Sequence, residues 1–377
     1  MKTGTLVLLG ICLLAIQNVM GGDWQVISSP NGTKQVNELH GISAVSDSDV
    51  WAVGVSYNTE RTLSTSLIEH WNGTQWTVVP SPNPSSTLNV LNAVAAVSAN
   101  DVWAVGTAPT GSNPILIIHW NGSVWSVVPN PPSSMPLNNL AALAVISAND
   151  VWAVGTGLIG DEDATATLHW NGTAWSVIPS PNVGPEVDNT LAGVTAVASN
   201  DVWAVGTQQP TSLTDPHTLI LHWNGSAWSI VKSPNDGGSG VSNHLLAAAA
   251  VSASDVWAVG SSGFGTLSEH WNGSRWSVVQ TPNSANGSDP EFFFSVVALS
   301  TNNLWSVGES FDSLNSLSRT LTEQWDGAQW NVVQSPNRGS DHNELFGLGA
   351  TPSGTLWAVG TAYQYPKQKT LILRKLP

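Results

Sequence analysis

The hexapeptide DVWAVG, Asp49 to Gly54, constrains this chain more than any other feature, because it keeps returning. It recurs at Asp101–Gly106, Asp150–Gly155, Asp201–Gly206 and Asp255–Gly260, then in altered form as NLWSVG (Asn303–Gly308) and TLWAVG (Thr355–Gly360). Its tryptophans are Trp51, Trp103, Trp152, Trp203, Trp257, Trp305 and Trp357, seven copies about fifty residues apart. A period in that range belongs to propellers, solenoids or arrays. A second motif, W-N-G-x-x-W-x-V, follows each copy but the last, with its second tryptophan at Trp76, Trp125, Trp175, Trp228, Trp276 and Trp330. The missing member lies at the other end of the chain, in DWQVISSPN (Asp23–Asn31), which supplies Trp24. With the first tryptophans of W-N-G, these positions account for all 20 tryptophans of the chain.

Each repeat resolves into four short strands, here called A to D. In one of them Leu91–Ser98 is small and apolar, Asp101–Thr107 is apolar on both faces, Ile115–Trp120 is β-branched, and Trp125–Pro129 alternates. Asn121-Gly122 between the last two is a hairpin signal, read here as a type I′ turn. Four strands per repeat without helical periodicity predict an all-β fold, a seven-bladed β-propeller with four antiparallel strands per blade. The alanine-rich strand A belongs at the crowded axis, and the doubly apolar strand B between neighbouring blades. The ring is expected to close through the N-terminal strand, so that about 338–377 together with 23–30 form the last blade of a single domain spanning 23–377.

Residues 1–22 carry one early cation, Lys2, an apolar run from Leu6 to Ile16, and Gly21-Gly22 before the polar chain begins. This reads as a secretory signal peptide, too short to span a membrane. The single cysteine, Cys12, lies inside it, so cleavage leaves no thiol and no disulfide; LGIC (Leu9–Cys12) is only a loose lipoprotein box. The net charge of −15, without basic runs, argues against nucleic acid or anionic lipid, which need clustered Lys and Arg. A secreted or cell-surface protein, monomeric and without a membrane span, is the expectation.

The hairpin H-W-N-G-T-x-W-S-V resembles a degenerate Asp-box, the S-x-D-x-G-x-x-W turn between outer blade strands of many secreted bacterial propellers. DVWAVG followed by an aliphatic strand and W-N-G-x-x-W is also similar to a tectonin-type repeat. Asn stands where the Asp-box has Asp, except at Asp326, and tectonin propellers usually have fewer blades. Both resemblances imply scaffold before function. The Asp-box implies one rival, a glycoside hydrolase or lyase of sialidase-like ancestry, for which Asp289 and Glu344 are the carboxylates to test. A sialidase also needs clustered arginines, and Arg61, Arg275, Arg319, Arg338 and Arg374 do not gather on adjacent strand A positions. A structural part of a surface assembly is the third class. The preferred reading is a non-enzymatic module that binds an extracellular glycan or protein.

Turns A to B and C to D hold their length along the chain, whereas B to C and D to A vary, and in a propeller the two variable sets share a face. Variable loops on a fixed scaffold carry recognition. Before each strand A stand Asn37, Asn89, Asn138, Asn189, Asn243 and Asn343, with Glu291 in the sixth place. They form either a polar ring for a ligand at the channel mouth or a set of Asx-turns. Tyr57, Tyr363 and Tyr365, with Arg61 and Arg319, are candidates for an aromatic and basic patch. No cofactor is expected. Calcium has one weak candidate in Asp161 and Asp163, where the D-x-D-x-D-G spacing is absent and a solvated acidic loop competes. Asp341, His342 and Glu344 form a further cluster. The hairpin histidines His70, His119, His169, His222 and His270, with Gln324 in the sixth, lie on separate blades and read as structural. The sequons at Asn31, Asn72, Asn121, Asn171, Asn224, Asn272 and Asn286 are mostly explained as turns.

Overall fold

The computed structural model describes residues 24–110, 113–210, 215–237, 240–263, 265–282, 289–364 and 366–377. The leader with Cys12, the sequon at Asn286 and Tyr365 lie outside the described residues.

The described chain contains 28 strands. A short β1 (Trp24–Val26) precedes β2 (Val36–Ser46), β3 (Asp49–Tyr57), β4 (Ser64–Trp71) and β5 (Trp76–Val78). The next four are β6 (Val90–Ser98), β7 (Asp101–Thr107), β8 (Ile115–Trp120) and β9 (Trp125–Val127). They are followed by β10 (Leu137–Ser147), β11 (Asp150–Ile159), β12 (Glu162–Trp170) and β13 (Trp175–Ile178). Then come β14 (Val187–Ala198), β15 (Asp201–Pro210), β16 (His217–Trp223) and β17 (Trp228–Val231). After them stand β18 (Asn243–Ser252), β19 (Asp255–Ser262), β20 (Gly265–Trp271) and β21 (Trp276–Val278). The chain continues through β22 (Glu291–Ser300), β23 (Asn303–Asp312), β24 (Leu317–Trp325) and β25 (Trp330–Val332), and ends with β26 (Asn343–Ala350), β27 (Leu356–Gln364) and β28 (Lys367–Lys375).

Five sets of four consecutive strands, β6 to β25, form five four-stranded antiparallel sheets. The remaining eight strands form one sheet, in which β2 to β5 meet β26 to β28 only through the parallel pair Val36 and Gln368. Along that same edge β28, whose other edge is taken by β27, pairs antiparallel with β1, Trp24 opposite Lys375 and Val26 opposite Leu373. The inner strands β2, β6, β10, β14, β18, β22 and β26 surround a channel of about 230 Å³. This is a β-propeller of four-stranded antiparallel blades.

The hexapeptide is a second-strand device. Its V-W-A-V core is buried on both faces in each copy that keeps it, and each apolar cluster draws on two successive blades, as when Trp51, Val53 and Ile68 join Leu91, Val102 and Trp125. Every inner strand has a register shift at the same place, between Leu39 and Gly41 in the first and between Leu140 and Ala142 in the third. There the partner strand comes so close that a Cβ on Gly54 would lie 2.0 Å from the Glu38 carbonyl oxygen, and one on Gly155 2.0 Å from that of Asn139. The final glycine of the hexapeptide is thus required by backbone approach to the bulged inner strand.

Tryptophans join blade to blade. Trp51 packs on Trp120 and Trp125 of the next sheet at 5.1 and 5.5 Å, and Trp103 repeats the arrangement with Trp170 and Trp175 at 4.8 and 5.4 Å. The series runs on through Trp152, Trp203 and Trp257, and Trp357 packs on Trp71 and Trp76 at 5.1 and 5.4 Å. Trp305 meets Trp24 edge-on at 5.9 Å, with the Lys375 ammonium 5.3 Å from its ring, where the final repeat has no W-N-G tryptophan.

The W-N-G-x-x-W hairpin corrects the type I′ expectation. Trp71 pairs with Trp76, leaving a four-residue loop in which Gly73 alone has a positive φ, of 92°. A type I′ turn needs positive φ at both central residues. Here the Asn72 side chain holds the loop instead: its Oδ1 accepts from the Thr74 and Gln75 backbone amides, both at 3.0 Å, and from the Thr74 hydroxyl at 2.8 Å. The hydroxyl of the sequon therefore completes an Asn cap. At Asp326, where Ala328 supplies no hydroxyl, Asn331 Nδ2 donates to the second carboxylate oxygen at 2.9 Å.

Candidate functional site

Much of the sequence's polar vocabulary serves the scaffold. Each hairpin histidine donates from Nε2 to the aspartate that opens the hexapeptide, at 2.8 Å for His70–Asp49, His119–Asp101 and His169–Asp150, and 2.9 Å for His222–Asp201 and His270–Asp255. The imidazole lies on the hexapeptide tryptophan, 4.2 Å between centroids for Trp51 and His70. In the β22 to β25 blade both partners change together, and Gln324 Nε2 donates to Asn303 Oδ1 at 3.0 Å. The S-P-N that follows the outer strand is also structural. Asn182 Oδ1 accepts from the Thr165 amide at 2.8 Å, and Ser180 and Thr165 share a hydroxyl hydrogen bond at 2.8 Å, so the tripeptide clips the third strand.

The ring of carboxamides at the channel mouth is corrected by burial. Asn37, Asn89, Asn189, Asn243 and Asn343 are at most 2% exposed and Glu291 3%. The Asn side chains hold the backbone of the incoming loop: Asn243 Oδ1 accepts from Asp236 N at 2.9 Å while its Nδ2 donates to the Val241 carbonyl at 2.8 Å. Asn343 does the same with Arg338 N at 2.9 Å and Asp341 O at 3.0 Å. Side chains engaged this way and closed to solvent anchor loops; Asn37 does so through Nδ2 alone, donating to the Lys34 carbonyl at 3.0 Å, with its Oδ1 buried and unpartnered. Asn138 is half-buried, at a register irregularity between Leu137 and Asn139.

The calcium candidates do not converge. Asp161 is exposed in a turn, the Asp163 amide donates to Asp188 Oδ1 at 2.9 Å, and burial, with the Asp188 charge, pushes the Asp163 carboxyl up. Among the described residues no three His, Cys, Asp or Glu side chains are placed to share a metal. Asp289 caps the loop at Ser313, accepting from its amide at 3.1 Å. His342 lies within hydrogen-bond reach of the Ser318 hydroxyl at 3.2 Å, beside Glu309.

The repeat's symmetry breaks at one mouth of the channel, the end where the loops entering the inner strands and those joining second to third strands emerge. The residues either side of the core leucine are Asn139 and Ala141 on β10, and Thr190 and Ala192 on β14. On β2 the same places hold Glu38 and His40, on β26 Glu344 and Phe346, and on β22 Phe292 and Phe294. His40, Phe294 and Phe346 line the channel itself, with Ala141 and Ala192 across it.

Above these rings lies a polar network. Arg61, from the loop between β3 and β4, donates to Glu38 Oε1 at 2.6 Å and to Gln368 Oε1 at 3.2 Å, while Gln368 Nε2 donates to Glu38 Oε1 at 3.0 Å. Arg61 also stands 4.9 Å from the Tyr57 ring centroid, which makes half of the expected aromatic and basic patch. Tyr363 is the register partner of Gln368, while Arg319 lies opposite Ser310 on a different blade. Burial opposes the Glu38 carboxylate, yet hydrogen bonds from His40 and Arg61 and the Arg61 charge outweigh it and hold the group below its usual pKa. Glu344 has no such partner: burial, then the neighbouring Glu309 and Glu38, push it up to about 7. Of this mouth, sequence reasoning had named Tyr57, Arg61 and Glu344. Glu38, His40, Phe292, Phe294 and Phe346 were missed, although aligning the inner strands residue by residue exposes them.

No protein-family model matches the chain, and no curated protein is significantly similar to it. Among solved structures it is similar to YCF48 bound to D1 peptide, at 15% identity over 94% of this chain and 97% of that one, with a TM-score of 0.59. It is similar to U3-55K at 11% identity over 94% and 98%, with a TM-score of 0.60. The GH74 xyloglucanase from Xanthomonas campestris matches at 12% identity over 92% of this chain, which spans 55% of that enzyme, with a TM-score of 0.55. At these identities the likeness is one of fold.

Proposed function

We propose that this is a secreted or cell-surface, non-enzymatic binding propeller that recognises an extracellular glycan or protein through the face carrying the variable loops. The signal-like leader supports the location. The observation that carries the binding role is the broken symmetry of the channel mouth. The other inner strands carry Val90 and Asn92, Asn139 and Ala141, Thr190 and Ala192, and His244 and Leu246 at these places, and only β22, β26 and β2 together set a contiguous run of Phe, His and Glu at the mouth; a local departure of this kind on a rigid frame marks recognition. We read the eight-stranded sheet as two blades touching through one residue pair, which gives seven blades, the last completed by β1.

A screen of the mature protein against immobilised glycans and extracellular proteins tests this. Binding is expected, with loss in Phe346→Ala and none in Thr173→Ala on the opposite face. Equal retention in both variants rejects the assignment of the face. A second reading, glycoside hydrolysis, draws on one observation, the carboxyl pair Glu38 and Glu344 displaced in opposite directions. Turnover of fluorogenic glycosides that disappears in Glu344→Gln would favour it.

A further inference from the structure

The mouth carries a chemistry beyond its asymmetry. Phe292 and Phe294, two apart on β22, lie nearly parallel with centroids 6.0 Å apart. Phe294 meets Phe346 at 5.5 Å, and Phe346 meets His40 edge-on at 5.8 Å. The four rings form an arc across three neighbouring inner strands, all half-buried, and Phe294, Phe346 and His40 line the channel. The three phenylalanine rings offer apolar surface and a negative π face and no hydrogen bond of their own.

Beside the arc stand more carboxylates than cations. Arg61, Gln368 and His40 all turn onto Glu38. Glu344, two residues before Phe346 on β26, has no hydrogen-bond partner among the described residues, and Glu309 and Glu38 act on it as like charges. Arg61 is the one cation that acts on Glu344, and with its guanidinium hydrogen-bonded to Glu38 its charge does not offset burial and the two like charges. Sugar hydroxyls would need donors as well as acceptors, and the donors here, Arg61, Gln368 and His40, are already turned onto Glu38. A metal ion would need converging ligands, and none converge among the described residues.

We propose that the channel mouth binds an organic cation, an alkylammonium or guanidinium group such as a partner's lysine or arginine side chain, between the Phe294 and Phe346 rings and the Glu344 carboxylate. Aromatic faces and a carboxylate together recognise such groups through cation–π attraction and a charge-assisted hydrogen bond. The inference rests on the reading of the mouth as the binding surface and adds the charge of what it holds.

Saturation-transfer NMR on the mature chain tests it, with Nα-acetyl-lysine methylamide, Nα-acetyl-arginine methylamide, the neutral Nα-acetyl-norleucine methylamide and methyl β-glucoside as probes. Transfer to the lysine and arginine side-chain methylenes is expected, at least fivefold above norleucine. It should fall at least fivefold in Glu344→Gln and in Phe346→Ala, with melting temperatures showing that both variants fold. Lysine signals equal to those of norleucine, or undiminished in Glu344→Gln, overturn the proposal. A glucoside signal lost in Phe346→Ala but indifferent to Glu344→Gln, in the absence of any amine signal, also overturns it, and in that case the mouth survives as a binding surface.

Discussion

Three buried carboxyls set the chain's response to pH. Glu69, Glu269 and Glu323 are fully buried on third strands, where the equivalent residues of other blades are Ile118, Leu168, Leu221 and Leu373. Ser29 donates to Glu69 at 2.7 Å and Ser233 to Glu269 at 2.8 Å, yet burial pushes these two carboxyls up to about 8 and Glu323 to about 9. Because the folded pKa lies above the unfolded one, the native state holds protons that the unfolded chain releases. The stabilising contribution is complete below about pH 4 and is lost as pH rises toward 8. Glu69→Gln removes one of these titrations. Its melting temperature is expected to exceed wild type by several degrees at pH 8 and to match it near pH 4; equal differences at both would show that Glu69 does not titrate in this way. Such a carboxyl is invisible in sequence, because one Glu before His-Trp in a strand looks like ordinary polar alternation.

At the scale of the element, the hexapeptide and its hairpin were legible because each residue type has a single use there. Val and Trp fill the space between sheets, Asp receives the histidine, and Gly admits the bulged inner strand. Gly155→Ala places a Cβ 2.0 Å from the Asn139 carbonyl oxygen, a backbone atom unable to swing away. A loss of about 3 kcal/mol or more, read by chemical denaturation, is expected from forcing the two strands apart. A change under 1 kcal/mol would show that the bulge relaxes freely. The hairpin was half legible. Asn-Gly was recognised, but the four residues between the paired tryptophans are too many for a two-residue turn, and a side-chain cap does what two positive φ values were expected to do.

For the whole molecule, a repeat of about fifty residues and a tryptophan at each interface left little freedom, and the propeller of four-stranded blades follows from them. The site was much less legible. Asn37 and its equivalents repeat because the scaffold needs them, so recurrence among polar residues marks loop anchors. Phe292, Phe294, Phe346, His40 and Glu38 differ from blade to blade, and only the assembled ring brings residues up to about three hundred positions apart to one opening. The reading of the mouth as the recognition surface is tested most directly by giving it the residues of β14. Glu38, Phe292 and Glu344 become Thr, and His40, Phe294 and Phe346 become Ala, in one protein whose glycan and protein binding profile is compared with wild type. An unchanged fold by circular dichroism and a profile emptied of its specific ligands are expected. A folded variant that keeps the wild-type profile would contradict that reading.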